Sequence, residues 1–351
     1  MTCLTCLGGA LLRSFEELAA PTEPGTWGGV LLFVGADLDY ACNVLGLRHF
    51  NSTACCMECD ANMTDKAYNN FHTEAPWRST VFTTTAQYMA AARRPLHPLL
   101  AHRVFNRFTY KYDLLHMMDH HGIASHIIAN ILWVHTSGER DGPVLPGGNE
   151  EERFAFLNSE IAAFYKAKGV VSRLPPLKKA MIKSEEFPEL RGNGVKAANT
   201  RALVPYILDL QRRATEMHNS AKNNHMLKVV EGLHGAYDIF YNNDCFLTRR
   251  TVASLRAHLL SLGQHYQYLS MLTFAEGKPR WKSTHKMHYV VAHLADQAAL
   301  LNPRYVQGYG SESMVGQMCN VYKASKKGPV QSLIQEQVML KYRVGMTLMW
   351  K

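Results

Sequence analysis

The sequence predicts a mainly α-helical protein with a minor α/β portion near its start, and two patterns carry that expectation. After residue 110, apolar residues recur every three to four positions over most of the chain, the spacing of helices that bury one face. Ahead of them, Val30-Leu31-Leu32-Phe33-Val34 runs unbroken between Gly28-Gly29 and Gly35, as a strand buried on both faces does in a parallel or mixed sheet. One strand alone would bury unpaired backbone groups, so partners are required. Val81-Phe82-Thr83-Thr84-Thr85 is the best candidate among them.

Taken in order, Leu11, Leu12, Phe15 and Leu18 form a short amphipathic segment that stops at Pro21, and a turn-rich connector leads to the strand. Asp37 and Asp39 follow the strand, where ligands and hard cations collect in open α/β sheets. Asp39 equally suits the cap of a helix over Tyr40 to Leu45. Residues 60 to 110 are mixed. Tyr112, Leu115, Met118, Ile123, Ile127 and Ile131 then mark a helical face, ended by the glycine- and proline-rich loop from Thr136 to Gly148. Asn149 with Glu152 starts the clearest helix, with Phe154, Leu157, Ile161 and Phe164 on its apolar face and Gly169 as its stop. Further helical patterns cover residues 200 to 218, 224 to 241, 250 to 275, 284 to 300, 311 to 326 and 331 to 346.

The 351 residues suffice for one large or two ordinary domains, and the net charge of +9 with 17 histidines favours polyanionic partners such as nucleic acid. No window is apolar over the roughly 18 residues a bilayer span needs, and the start lacks the basic residues of a secretory signal. A soluble intracellular protein is therefore expected. Eight cysteines include the pairs Cys3/Cys6 and Cys56/Cys59, which in an intracellular chain suggest metal or free thiols rather than disulfides.

The two-residue gap of Cys56 and Cys59 lets both thiolates reach one tetrahedral zinc, with Cys55 as a spare donor. The remaining donors are open: Cys3 and Cys6, or His49, His72 and His116. Asp113 and His116, three apart on a helical pattern, share a face and could bind metal, or the acid could fix the ring's tautomer. His285, His288 and His293 read as satisfied core or surface histidines, and Glu312 as an acid complementing a helix dipole. Asp119-His120-His121, with Asp37 and Asp39, superficially matches phosphoesterases of the DHH family.

The order of these pieces resembles the catalytic region of eukaryotic cut-and-paste DNA transposases, most closely the CACTA (En/Spm-type) group. Gly35-Ala36-Asp37, Cys56/Cys59, Asp113/His116 and Glu312 stand in that family's order: a strand-end acid, a Cys-x-x-Cys, an Asp-x-x-His, a helical insertion and a late acid. The resemblance covers residues 30 to about 316. It implies a partial RNase H-like core over 1–135 that carries the Cys-x-x-Cys segment, a helical insertion over 136–280, and C-terminal helices over 281–351 that return to the core. It further implies a nuclear protein acting on DNA, with Asp37 or Asp39 and Glu312 as catalytic acids on Mg2+, and with Cys56, Cys59, Asp113 and His116 as metal ligands, the soft donors holding structural Zn2+. Arg93, Arg94, Arg103 and Arg107, and likewise Lys178, Lys179, Arg212 and Arg213, would contact phosphates, and a homo-oligomer is compatible. The family's first acid lies on an earlier strand that has no counterpart upstream of Pro21, so the chain looks truncated at its N-terminus and its activity is in question. Three readings remain open: a transposase-derived nuclease, a non-catalytic zinc-stabilised DNA-binding remnant, and a DHH-type phosphoesterase.

Overall fold

Two three-residue strands meet in parallel at the point where the early acids gather. The computed structural model describes residues 33–102, 104–138, 144–182 and 185–309. Strand β1 (Val34–Ala36) pairs with β2 (Tyr110–Tyr112) in the register Val34 to Tyr110, Gly35 to Lys111 and Ala36 to Tyr112. The ladder extends at both ends, through Val34 N–H to the Thr109 carbonyl at 2.8 Å and Asp113 N–H to the Ala36 carbonyl at 3.2 Å. A Cβ at Gly35 would lie 2.7 Å from the carbonyl oxygen of Val306, so a side chain has no room there. The Tyr112 N–H donates to the side-chain oxygen of Gln297 at 3.0 Å, which takes the place of a further strand.

The second strand is not the one expected. Val81 to Thr84 runs extended without sheet partners, and Thr84 caps helix α1 (Thr85–Ala90) through a capping box with Gln87. The Thr84-x-x-Gln87 signature thus outweighs the β-branched run. β2 instead comes from Tyr110-Lys111-Tyr112, a stretch that merges in sequence with the following helical pattern. Among the described residues these two strands form the only sheet, and it is too small to define an RNase H-like core.

The rest is helical. Each acid-bearing strand end leads into a π-helical turn, Tyr40–Val44 after β1 and Leu115–Asp119 after β2. After the short α2 (Pro98–Ala101) come α3 (Ile123–Ser137), α4 (Glu150–Ala167), α5 (Ala197–Met217), α6 (Ala221–Asn242), α7 (Arg249–Ala275), α8 (His285–Ala292) and α9 (Leu294–Ala298). Helix α3 is buried on every side from Ile123 to Thr136 and packs against α4, α5 and α6. Helix α4 begins as its sequence indicates, with the Asn149 side chain accepting from Glu152 N–H at 2.9 Å, and Gly169 adopts φ +62° beyond its end. The helical stretches expected after residue 311 and before residue 20 lie outside the described residues.

Helix α8, which matters most below, is seated by a missing side chain. A Cβ on Gly263 of α7 would lie 2.7 Å from Val291 Cγ1 and 3.1 Å from the Phe71 ring, so glycine lets α8 approach α7 closely. The chain divides into a unit ending at Val306 and a second over 307–351, nearly all of which lies outside the described residues. The first unit runs across both expected boundaries, after 135 and after 280. No described helix is long and apolar enough to cross a membrane.

At the centre of β2, Lys111 is buried, with Nζ 3.5 Å from the Gln297 carbonyl and 4.9 Å from the centroid of the Phe33 ring. Burial pulls its amine down to about 8 despite the attraction of Glu58. Between that value and the unfolded lysine value of about 10.4, the unfolded chain binds more protons, so this residue's contribution to stability rises with pH. Lys111→Met should fold, and the stability of wild type minus variant, measured by urea unfolding, should grow from pH 8 to 10. A difference constant over that range would show Lys111 to be ordinarily solvated.

Candidate metal centre and the neighbouring cleft

The Cys-x-x-Cys stretch lies in a loop that folds onto itself before it meets any helix. Cys55 N–H donates to the Ala61 carbonyl at 3.2 Å, and Ala54 and Asn62 form an isolated antiparallel bridge. Within this turn, Glu58 N–H points at Cys56 Sγ (3.3 Å) and Ala61 N–H at Cys59 Sγ (3.4 Å). Amide donors aimed at both sulfurs favour thiolates. Tyr289 of α8 fastens the turn: its hydroxyl donates to the Cys55 carbonyl at 2.9 Å and accepts from Met57 N–H at 3.2 Å.

That fastening brings two histidines over the two sulfurs. His293 Nε2 lies 3.4 Å from Cys56 Sγ, and His288 Nε2 lies 3.5 Å from Cys59 Sγ. The four donor atoms are all within 4.8 Å of one another, and all four residues are buried. Zinc bonds of about 2.3 Å to sulfur and 2.0–2.1 Å to nitrogen, set at tetrahedral angles, require sulfur to nitrogen edges of roughly 3.5 Å. The observed spacings match that edge, and thiolate with imidazole is the donor set zinc prefers. The His288 Nδ1 sits 2.8 Å from the Tyr68 carbonyl, which holds the proton on Nδ1 and leaves Nε2 as the donor towards the sulfurs. Trp77 closes the site with its ring edge-on to His288 at 4.8 Å, its own N–H bound to the Asn70 carbonyl at 2.7 Å.

Electrostatics agree with this role. Hydrogen bonding from the Cys56 thiol, together with the neighbouring His293 ring, pulls the Cys59 thiol far down, while burial pushes Cys56 up. Burial lowers His288; at His293 burial acts the same way, but the Cys59 contact and Glu58 outweigh it and raise the ring. Two sulfurs and two imidazole nitrogens in mutual contact form a donor set that could hold a metal ion. Glu58, between the two cysteines, accepts from the Tyr112 hydroxyl (3.1 Å) and from Gln297 Nε2 (3.3 Å), tying the knuckle to β2.

The completing donors differ from those considered from sequence. His288 and His293, read there as core histidines, are the missing pair, and their four-residue gap is itself a zinc-ligand spacing. It went unread because the two pairs lie 229 residues apart between Cys59 and His288. Cys55 is not in the group; its thiol points at the Ala61 carbonyl and burial raises it to about 11. His49 and His72 accept from nearby backbone amides instead, and Cys3 and Cys6 lie outside the described residues. Asp113 and His116 pair with each other, Nδ1 to Oδ2, and stand apart from the cysteines.

Their place is a separate cleft of about 570 Å³ at the carboxyl ends of the strands, lined by Asp37, Asp39, His116, His121, Lys286 and others. Asp113 is buried behind His116. The strand register makes Asp37 and Asp113 lateral neighbours, one residue past Ala36 and Tyr112. Asp37 Oδ1 accepts from Tyr40 N–H at 2.7 Å, so Asp37, not Asp39, starts the turn; Asp39 accepts from Asn43 Nδ2 at 2.8 Å. Glu312 lies outside the described residues, and among those described the cleft acids do not gather into a cation cage of three or more donors. Of the Asp119-His120-His121 triplet, only His121 lines this cleft. Asp119 is buried against the Tyr237 hydroxyl and 3.7 Å from Arg201.

The arginines expected at phosphates divide. Arg93 and Arg107 donate to the carbonyls of Cys42 and Phe82, so both brace the fold. Arg94 is exposed, and Arg103 lies outside the described residues. Arg213 is bound to Glu160 by two hydrogen bonds of 3.0 Å, and Lys179 to Glu150 at 2.8 Å.

Protein expressed with zinc should carry about one zinc per chain by atomic emission, and Cys56→Ser or His293→Ala should lose it. Because thiols must give up protons to bind metal, zinc should be released progressively as pH falls from 7 towards 5. Chelation at neutral pH should lower the melting temperature by about 5 °C or more. Equal zinc content in wild type and Cys56→Ser would remove the assignment. No protein-family model matches the sequence, and no curated protein matches it.

Proposed function

We propose that this chain is a transposase-derived domain that acts on DNA by metal-assisted phosphoryl transfer in the cleft at the ends of β1 and β2, with the Cys2His2 group as a structural zinc centre. The observation that carries this reading is the pairing of the strands. Two parallel strands are each followed directly by an aspartate, Asp37 and Asp113, in a register that makes the two neighbours, and Asp37 lines the cleft at that edge. The chain order of strand-end acid, cysteine pair, Asp-x-x-His and late acid supports the same reading. The basic net charge of +9 suits a phosphodiester partner.

In this reading Asp37 is the early acid that holds Mg2+, its carboxylate oriented by the Tyr40 amide on Oδ1. The late acid is Glu312. Magnesium when bound supplies a lower pKa to the attacking hydroxyl or water and neutralises charge on the phosphate. His116, oriented by Asp113 through Nδ1, faces the cleft and is placed to pass a proton to or from an oxygen of the reacting phosphate. The zinc centre keeps α8 in place and takes no part in the reaction.

Full-length, zinc-loaded protein should nick supercoiled plasmid with Mg2+ or Mn2+. Asp37→Asn should reduce the rate by about a hundredfold or more, and Asp39→Asn by only a few-fold. Plasmid binding without nicking in wild type would favour the non-catalytic DNA-binding remnant, and nicking indifferent to Asp37→Asn would place the chemistry elsewhere.

A further inference from the structure

Three residues other than glycine hold a left-handed backbone among those described: His121 (φ +48°), Phe187 (φ +50°) and Trp281 (φ +56°). All three belong to one neighbourhood. His121 and Phe187 line the cleft, and Trp281 precedes Lys282, which lines it too. The segments are cross-tied, with Phe187 N–H on the Pro279 carbonyl at 3.0 Å and His121 Nδ1 2.9 Å from Glu189. For His121 and Trp281 the fold supplies a reason for the conformation. His121 is engaged with Glu189, and its carbonyl accepts from Lys286 Nζ at 2.8 Å; Trp281 is wholly buried against Tyr266.

Phe187 is held at its N–H by the Pro279 carbonyl, a tie that does not call for an aromatic side chain. The residue is 40% exposed, so part of its ring packs in the fold and part is open on the cleft wall, although positive φ disfavours so bulky a residue. What phenylalanine adds is an aromatic surface on the cleft wall. The Lys282 ammonium stands 5.7 Å from the centroid of that ring. Phe50, stacked on His49 at 4.6 Å, lines the same cleft, as does His285, stacked on Tyr68 at 4.4 Å. Aromatic faces interleaved with cations are how proteins hold unpaired bases, the rings stacking the bases while the cations take the backbone phosphates.

We propose that Phe187 is a stacking platform for an unpaired nucleobase, with Lys282 holding an adjacent phosphate. The substrate of the cleft is then DNA with a base displaced from its stack beside the reacting phosphate. This rests on the reading of the cleft as a DNA-acting site. It goes beyond that reading by naming the form of DNA and the residue that selects it. Fully paired duplex has no base to offer the ring, so it should bind more weakly than the same duplex carrying one unpaired base.

The test uses full-length, zinc-loaded protein and a fluorescein-labelled DNA hairpin with a single unpaired 2-aminopurine, alongside its fully paired counterpart. Wild type should prefer the unpaired form and quench 2-aminopurine on binding. Phe187→Gly should bind the unpaired form about ten- to a hundredfold more weakly with the quench lost, and bind the paired form unchanged. Phe187→Trp should keep both preference and quench. If wild type binds both DNAs equally, or Phe187→Gly keeps the preference, the stacking role fails while the DNA reading stands. If wild type binds neither DNA, both fail. A lower melting temperature in Phe187→Gly with binding intact would assign the ring to the fold.

Discussion

Two cysteines on an early loop, one histidine on α8 and another in the turn just after it are buried together with their donor atoms in contact, and the rest of the structure is arranged around that meeting. The loop over residues 54 to 70 has little regular structure but is closed on itself by backbone bonds such as Cys55 to Ala61 and Tyr68 to Asn62. Its position comes from Tyr289, which binds it at two backbone groups, and from the sulfur and imidazole contacts beside that residue. Helix α8 is in turn constrained by Gly263 beneath Val291. Buried thiol and imidazole groups this close together are costly to desolvate, and a cation bound among them would offset that cost.

The same helix serves two sites. His288 reaches the sulfurs, while Lys286, two residues earlier and therefore about 200° around the helix axis, reaches the carbonyl of His121 on the cleft wall. The knuckle reaches the cleft by a second route, through Glu58 to Tyr112 and Gln297, next to the end of β2 where Asp113 begins. The centre thus fixes both walls of the cleft without facing into it. Sulfur and nitrogen donors are thus gathered at one place and the cleft carboxylates at another.

How much of this was legible in the sequence depended on the range over which each signal acts. Helix α4 was fully legible because Asn149, Glu152 and Gly169 act within a few residues of its ends. The cysteine pair was visible for the same reason. The histidine pair was printed just as plainly, but only the tertiary fold joins spacings separated by most of the chain. β2 was hidden because three residues carry almost no periodicity, and the β-branched run after Val81 misled because Thr84 is worth more as a helix cap than as a strand residue. Phe187 left no sequence signal, since a left-handed phenylalanine reads like any other until its backbone is seen.

The distance along the chain between the two ligand pairs has a consequence for biosynthesis. Cys56 and Cys59 leave the ribosome long before His288 and His293 exist, so the centre cannot close until the helices between them have been made. During that interval both thiols are open to oxidants and to any metal with a taste for sulfur. An ion held by this group would be captured only once α8 has docked, which would make its binding a late event rather than a seed for folding.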